Sequence, residues 1–313
     1  MRVAIMGSGG VGGFYGAKLA RNGVDVTFIA RGAHLQAISK NGLALRSGDD
    51  GKSETLINPA RAVEDPAQAG PVNLILFCVK LPDSEAALEA LKPLMGEDTF
   101  IVTLQNGVES VGIIERILGR GRTIGGAVYI VASILEPGVI VKSGPSERME
   151  IAEPDGSRSP RALAFAELCR DAGIDIHVKD DLDELLWRKF ILLSASSAIT
   201  ALTRQPMGFA QEDPVAGEVV RAAIAETVAV ARALGVGLAA DIEETAFKTL
   251  NFILGADAKS SQLYDLERGK PLELEWFSGA IHRMGKEVGV PTPVHSTTYA
   301  ALRPFSGGRG TGG

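Results

Sequence analysis

The chain opens with a β-prone run at residues 3–6 that ends in Gly7-Ser8-Gly9-Gly10-Val11-Gly12, and a helical pattern follows to about residue 22. A G-x-G-x-x-G turn between a strand and a helix restricts the fold more than any other stretch of this sequence. The first glycine permits the tight turn, the second lets a pyrophosphate approach the backbone, and the third lets the helix pack closely on the sheet. Amide donors at the helix start then face the phosphates. Gly7, Ser8, Gly9, Gly10, Val11 and Gly12 are therefore candidate dinucleotide-binding residues, the alternative being a glycine-rich turn with a purely structural role.

Further β-rich runs at residues 26–30, 74–79 and 100–104 alternate with helical patterns, and the run at 74–79 is apolar enough to be buried on both faces. Such alternation predicts βαβ units and a parallel sheet covered by helices on both sides. Residues 125–151 are β-branched and punctuated by Glu136-Pro137-Gly138 and Ser143-Gly144-Pro145, which reads as strands joined by tight turns on the far side of the sheet. After the run at 175–178 the patterns turn helical, most clearly at 219–234 and 280–288. The expected architecture is a Rossmann-type doubly wound α/β domain at residues 1–179 followed by an all-helical domain at 180–305. The glycine-rich end, residues 306–313, is expected to be a disordered tail. A chain of 313 residues is long enough for two such domains.

A formal net charge of −6 argues against a nucleic-acid partner, which calls for a basic surface. Cys78 and Cys169 are too few for a disulfide framework or a four-ligand zinc site; two reduced thiols in the cytoplasm is the simpler reading, with a single disulfide left as the alternative. The longest mostly apolar stretch, residues 190–202, contains several hydroxyl side chains and falls short of the roughly 20 residues of a membrane helix. A cytoplasmic protein with no membrane partner is expected.

The second β-run decides between cofactors. Enzymes that take NAD usually end this strand with a carboxylate that holds the ribose 2′-hydroxyl. Here residues 26–30 are followed by Arg31-Gly32, a cation suited to a 2′-phosphate, so NADP(H) is expected. The alternative is an ordinary surface arginine at a helix start. Lys80, just past the third strand, lies at the same carboxyl edge and could assist Arg31. Asn106, in Gln105-Asn106-Gly107, also follows a strand; its side chain serves either the turn itself or a cofactor or substrate.

Two charged residues fall on apolar faces. Leu182, Leu185, Leu186, Leu192 and Leu193 define a helical stripe that includes Lys189. Partial burial costs free energy and lowers a lysine pKa toward the range useful for proton transfer. The alternative is a lysine whose ammonium snorkels to water. Pro271 is placed to start a helix with Phe277, Ala280, Ile281, Met284 and Val288 on its buried face, and Glu273 lies at the end of that stripe as a possible partner for Lys189. Otherwise Glu273 simply complements the helix dipole. Ser260 and Ser261 precede another helical turn as potential N-caps. His34, His177, His282 and His295 form no recognisable metal cluster, and no metal is expected.

Together these motifs, with Val79-Lys80 and Leu186-Trp187-Arg188-Lys189, resemble the ketopantoate reductase (2-dehydropantoate 2-reductase) family over nearly the whole chain, from Met1 to about Pro304. The resemblance implies NADPH-dependent reduction of ketopantoate to pantoate on the route to pantothenate, in a cleft between a Rossmann and a helical domain; a homodimer is compatible with it. By position it implies Lys189 as the general acid and Glu273 as the group holding the lysine or a substrate hydroxyl. It likewise implies Ser261 at the substrate carboxylate and Asn106 orienting substrate and nicotinamide. Ser197 falls where the family has a substrate-seating asparagine. Leu193 and Met207 occupy two further such places and would make the pocket more apolar. A less polar 2-oxo acid is thus the alternative substrate, and a non-catalytic NADP(H)-binding sensor the alternative of another class. Retention of Lys189 and Glu273 argues against the sensor.

Overall fold

The computed structural model describes residues 1–47 and 53–308, which fall into two compact units, Met1–Leu185 and Leu186–Gly313. The first contains β1 (Arg2–Met6), α1 (Gly10–Arg21), β2 (Asp25–Ile29), α2 (Gly32–Asn41), β3 (Leu43–Ser47), β4 (Ser53–Ile57), β5 (Arg61–Val63), β6 (Val72–Phe77), α3 (Ser84–Ala90), β7 (Met95–Thr103), α4 (Ser110–Leu118), β8 (Thr123–Glu136), β9 (Val139–Ala152), α5 (Pro160–Asp171) and β10 (Ile176–Val178). Among the described residues the strands form one ten-stranded sheet, ordered β4-β3-β9-β8-β7-β6-β1-β2-β5, with β10 beside β9.

Strands β5, β2, β1, β6, β7 and β8 run parallel, as the βαβ alternation predicts. Alternate residues of one strand feed opposite faces. Val3 and Ile5 of β1 join a core with Phe14, Phe28 and Phe165, while Ala4 and Met6 join another with Phe77, Leu88 and Ile114. Burial on both faces explains why β1 and β6 read as continuous apolar runs.

Beyond β8 the sheet is mixed. β9 returns antiparallel through the turn at Glu136-Pro137-Gly138, β3 adds to it in parallel, and β4 closes that side antiparallel to β3. Ser143-Gly144-Pro145 is not a second turn between strands. It lies inside β9, where the pairing with β8 jumps from Ser143 to Glu147. The left-handed φ of Gly144, +70°, and the missing N–H of Pro145 let the intervening residues bulge out while the strand continues.

α6 (Leu182–Thr203) passes from the first unit into the second. Its first turn belongs to the sheet unit, with Leu182 placed so closely on Gly125 that a Cβ there would collide with it. The division between the units therefore lies inside this helix, past the end of β10. α6 is longer than the apolar stretch at 190–202, and it satisfies the length and hydropathy of a membrane-spanning helix. However, 72 % of its most apolar window is buried inside the protein, where it is the core helix of the second unit. A helix apolar all round packs on several sides. Ile191, Ala195 and Ile199 meet residues of α7 (Met207–Glu212), α8 (Pro214–Ala233) and α9 (Ile242–Lys248). Ala201 meets Leu266 of α10 (Ser261–Glu267), together with Leu272 and Leu274. α11 (Ser278–Val288) and α12 (Pro293–Leu302) complete the unit.

The helix expected from Pro271 starts later. Residues 274–276 form a single 3₁₀ turn, and Phe277 (φ −107°, ψ −101°) breaks the path before α11 begins. Phe277 is fully buried, and the Glu275 carboxylate bonds Tyr299 (2.5 Å) and pairs with Arg283, so side-chain anchoring overrides the helical periodicity there. In the expected tail, Ser306 accepts from the Leu272 N–H at 2.9 Å, and Gly308 donates to Phe305 at 3.0 Å; residues 309–313 lie outside the described residues.

Candidate active site

The first unit gathers its candidates at one edge. β2, β1, β6 and β7 are contiguous and parallel, so the residues following each of them emerge at the carboxyl edge of the sheet. After β1, Gly7 has a φ of +96°, and a Cβ there would approach the Val79 nitrogen to 2.7 Å. Gly12 faces the carbonyl of Gly7 and Ile5 Cγ2 so closely that no side chain fits. Gly9 differs: a Cβ on it would meet nothing within 4 Å. Gly9 is also the N-cap of α1 and has no capping side chain, so the amides of the first turn, at Gly10, Val11 and Gly12, have no acceptor within the helix. This is a fit for a pyrophosphate. The Ser8 hydroxyl turns inward and donates to the Ile29 carbonyl at 3.0 Å, which leaves only the Ser8 backbone facing a ligand there.

After β2, Arg31 is exposed as the N-cap of α2 and has no ion pair among the described residues. Its neighbours Ala30 and Gly32 supply no carboxylate for a ribose. Lys80 follows β6, exposed at the start of a 3₁₀ turn. After β7, buried Gln105 donates to the Val79 carbonyl (3.0 Å) and the Ser84 hydroxyl (2.7 Å), tying the ends of β6 and β7 together. Half-buried Asn106 and then Gly107, with a φ of +89°, follow directly.

The second unit brings Lys189 and Glu273 together electrostatically. Phe190, one residue past Lys189, packs on Phe277 with ring centroids 6.3 Å apart, which draws the segment bearing Glu273 onto α6. Burial pulls the Lys189 ammonium down from its ordinary 10.5 to about 8, and the negative charge of buried Glu273 opposes that fall. Leu193 and Ser197 follow Lys189 at steps of four residues, each roughly 6 Å further along the same face of α6. Leu193 is half-buried; Ser197 is fully buried and its hydroxyl has no hydrogen-bond partner among the described residues. Met207 is buried in the core with Ile191 and Val220.

One turn beyond Ser197, the hydroxyl of Thr200 meets that of Ser260 at 2.7 Å, and Ser260 caps α10 by accepting from the Leu263 N–H at 3.1 Å. Ser261 is therefore the first residue of α10, exposed rather than capping. Three features escape the sequence reading. Thr200 pins α10 to α6, and Gln262 is buried with neither its amide nitrogen nor its oxygen hydrogen-bonded among the described residues. Gln262 stands four residues before Leu266, so the helical period does place it on the apolar face of α10. The third is His34, bonded through both ring nitrogens.

Comparison with known proteins extends these observations across the chain. Residues 3–156 match the family model described as "Ketopantoate reductase PanE/ApbA", and residues 181–306 match "Ketopantoate reductase PanE/ApbA C terminal". The 2-dehydropantoate 2-reductase of Mesorhizobium japonicum is 31 % identical over 99 % of this chain and 99 % of its own. That of Archaeoglobus fulgidus is 31 % identical over 98 % of each. The crystal structure of a PanE/ApbA family ketopantoate reductase from Ralstonia eutropha superposes with a TM-score of 0.89 at 32 % identity, covering 98 % of both chains. With both halves matched by one family and relatives aligned end to end, this chain is a member of the ketopantoate reductase family of oxidoreductases.

Proposed function

We propose that this chain reduces the 2-oxo group of ketopantoate to the hydroxyl of pantoate with NADPH, in the cytoplasm, with Lys189 as the general acid. The observation that carries this reading is Lys189 on the apolar stripe of α6 with the buried carboxylate of Glu273 acting on it, burial lowering the lysine pKa to about 8. A bound reduced nicotinamide supplies the hydride. The amides of Gly10, Val11 and Gly12 would bind the pyrophosphate, and Arg31, assisted by Lys80, the 2′-phosphate. The ammonium of Lys189 donates a hydrogen bond to the substrate carbonyl oxygen and stabilises the negative charge that grows on it. It then transfers its proton to that oxygen, becomes a neutral amine, and recovers a proton from water. Glu273 favours the charged form of Lys189 and so keeps the proton available. Ser261 would take the substrate carboxylate, and Asn106 would orient substrate and nicotinamide.

Buried hydroxyl and amide groups without partners are costly, by about 1–3 kcal/mol each. The unpartnered Ser197 hydroxyl and Gln262 amide therefore support a substrate with polar groups of its own, such as the ketopantoate hydroxyl. Half-buried Leu193, one turn from Lys189, favours a second reading with a less polar branched 2-oxo acid. Steady-state NADPH oxidation with ketopantoate and with its analogue lacking the hydroxyl separates the two. Higher kcat/KM for ketopantoate is expected; higher kcat/KM for the analogue would establish the second reading, and turnover of neither would defeat both.

A further inference from the structure

His34 lies in the first turn of α2, three residues past Arg31, and is half-buried. Its Nδ1 accepts from the Gly138 N–H at 3.0 Å. An amide N–H can only donate, so this nitrogen carries no proton and Nε2 holds the single ring hydrogen. Nε2 donates it to the carbonyl of Ser8 at 2.9 Å. The partners thus fix both the neutral state and the tautomer. They also join three separate pieces of chain: the phosphate turn, the helix led by Arg31, and the turn between β8 and β9. Gly138 is held in turn by β3, because its carbonyl accepts from the Ala44 N–H at 2.9 Å.

The Ser8 carbonyl belongs to the peptide unit whose N–H is that of Gly9. A trans peptide is planar, with its C=O and N–H pointing in opposite directions. Holding the oxygen toward His34 therefore aims the Gly9 N–H away from the ring. Gly9 is the residue whose missing side chain leaves open space. We propose that neutral His34 is a positioning residue for the nucleotide site, orienting the phosphate-binding amide of Gly9 through the Ser8 carbonyl and clamping the turn to Gly138. The proposal rests on the reading that the first unit binds a dinucleotide.

Protonation would place an N–H on Nδ1 against the N–H of Gly138, and that bond would be lost. The charged side chains on the elements meeting here are Arg31 at the N-cap of α2 and Lys40 on it, Glu136 at the end of β8, which is itself paired with Arg46 of β3 at 3.6 Å, and Lys142, Glu147, Arg148 and Glu150 further along β9. The phosphate turn carries none. Burial holds the imidazole below its ordinary value of 6.5, against the pull of the Ser8 carbonyl. The clamp should therefore hold at neutral pH and release as the solution is acidified below that value.

Fluorescence titration of the full chain with NADPH tests this in the wild type, His34→Leu and His34→Gln, at about pH 7.5 and about pH 5.5. Leucine removes both bonds; glutamine keeps a non-titrating donor for Ser8. At the higher pH, His34→Leu should weaken NADPH roughly tenfold while leaving kcat at saturating NADPH within about twofold, and His34→Gln should recover most of the affinity. On acidification the wild type should lose more affinity than His34→Gln, the titration of the 2′-phosphate being common to both. Wild-type affinity in His34→Leu, or a His34→Gln chain as weak as His34→Leu, would overturn the proposal. A wild-type chain that binds neither NADPH nor NADH would overturn the dinucleotide reading itself.

Discussion

As the proposed general acid, Lys189 can donate a proton only while it holds one, so its depressed pKa sets a pH window. With a value of about 8, the ammonium is mostly protonated at neutral pH and is lost as pH rises through 8. The rate of carbonyl reduction should be level below that point and fall toward tenfold per unit above it. Glu273 raises the lysine pKa, so Glu273→Gln should move this alkaline limb to lower pH, read from kcat against pH; an unmoved limb would remove Glu273 from the proton-holding role. Arg31 has a different signature. Losing one charge-assisted bond costs about 1.5–3 kcal/mol, so Arg31→Ala should weaken NADPH by roughly ten- to a hundredfold and leave NADH unchanged. Equal effects on both nucleotides would show that Arg31 does not read the 2′-phosphate. Lys189 and Glu273 could be singled out from sequence because a charge in an apolar stripe breaks a pattern. His34, Thr200 and Gln262 could not be assigned in this way, since their meaning depends on partners or burial that only the folded chain supplies.

Segments behaved in the same way. The strands and helices with strong periodicity, β1, β2, β6, α1 and α8, are legible because burial on a known face dictates the residue pattern. The bulge in β9 and the delayed start of α11 were not, because the same Gly-Pro and Pro signals serve a turn, a bulge or a helix start, and long-range pairing decides among them. Helix placement in the second unit relies in part on a buried polar chain. His295 Nε2 donates to the Ala223 carbonyl of α8 (3.0 Å), and its Nδ1 accepts from the Ser278 hydroxyl at the start of α11 (3.2 Å). Burial pushes this imidazole down from 6.5 to about 4. The unfolded chain then binds a proton between these values that the folded one does not, so stability is complete above pH 6.5 and declines as pH falls toward 4. The shift corresponds to about 3 kcal/mol at most. Chemical denaturation across this range should show the decline in the wild type and a shallower one in His295→Gln; equal slopes would exclude His295 as its source.

Two units, each with its own core, divide the chemistry of the proposed reaction between them: amides and cations at the sheet edge for the nucleotide, an amine and a carboxylate on the helices for the substrate. The change from strand to helix patterns near residue 180 made the two-unit organisation readable. The mixed extension of the sheet through β9, β3 and β4 was not readable, because short edge strands such as β3 and β4 carry little period of their own. The most direct test is the single-turnover rate of ketopantoate reduction by NADPH in a Lys189→Ala chain whose NADPH affinity matches the wild type. A loss of at least roughly a hundredfold is expected if Lys189 delivers the proton. A rate within a few fold of the wild type would contradict the proposed mechanism.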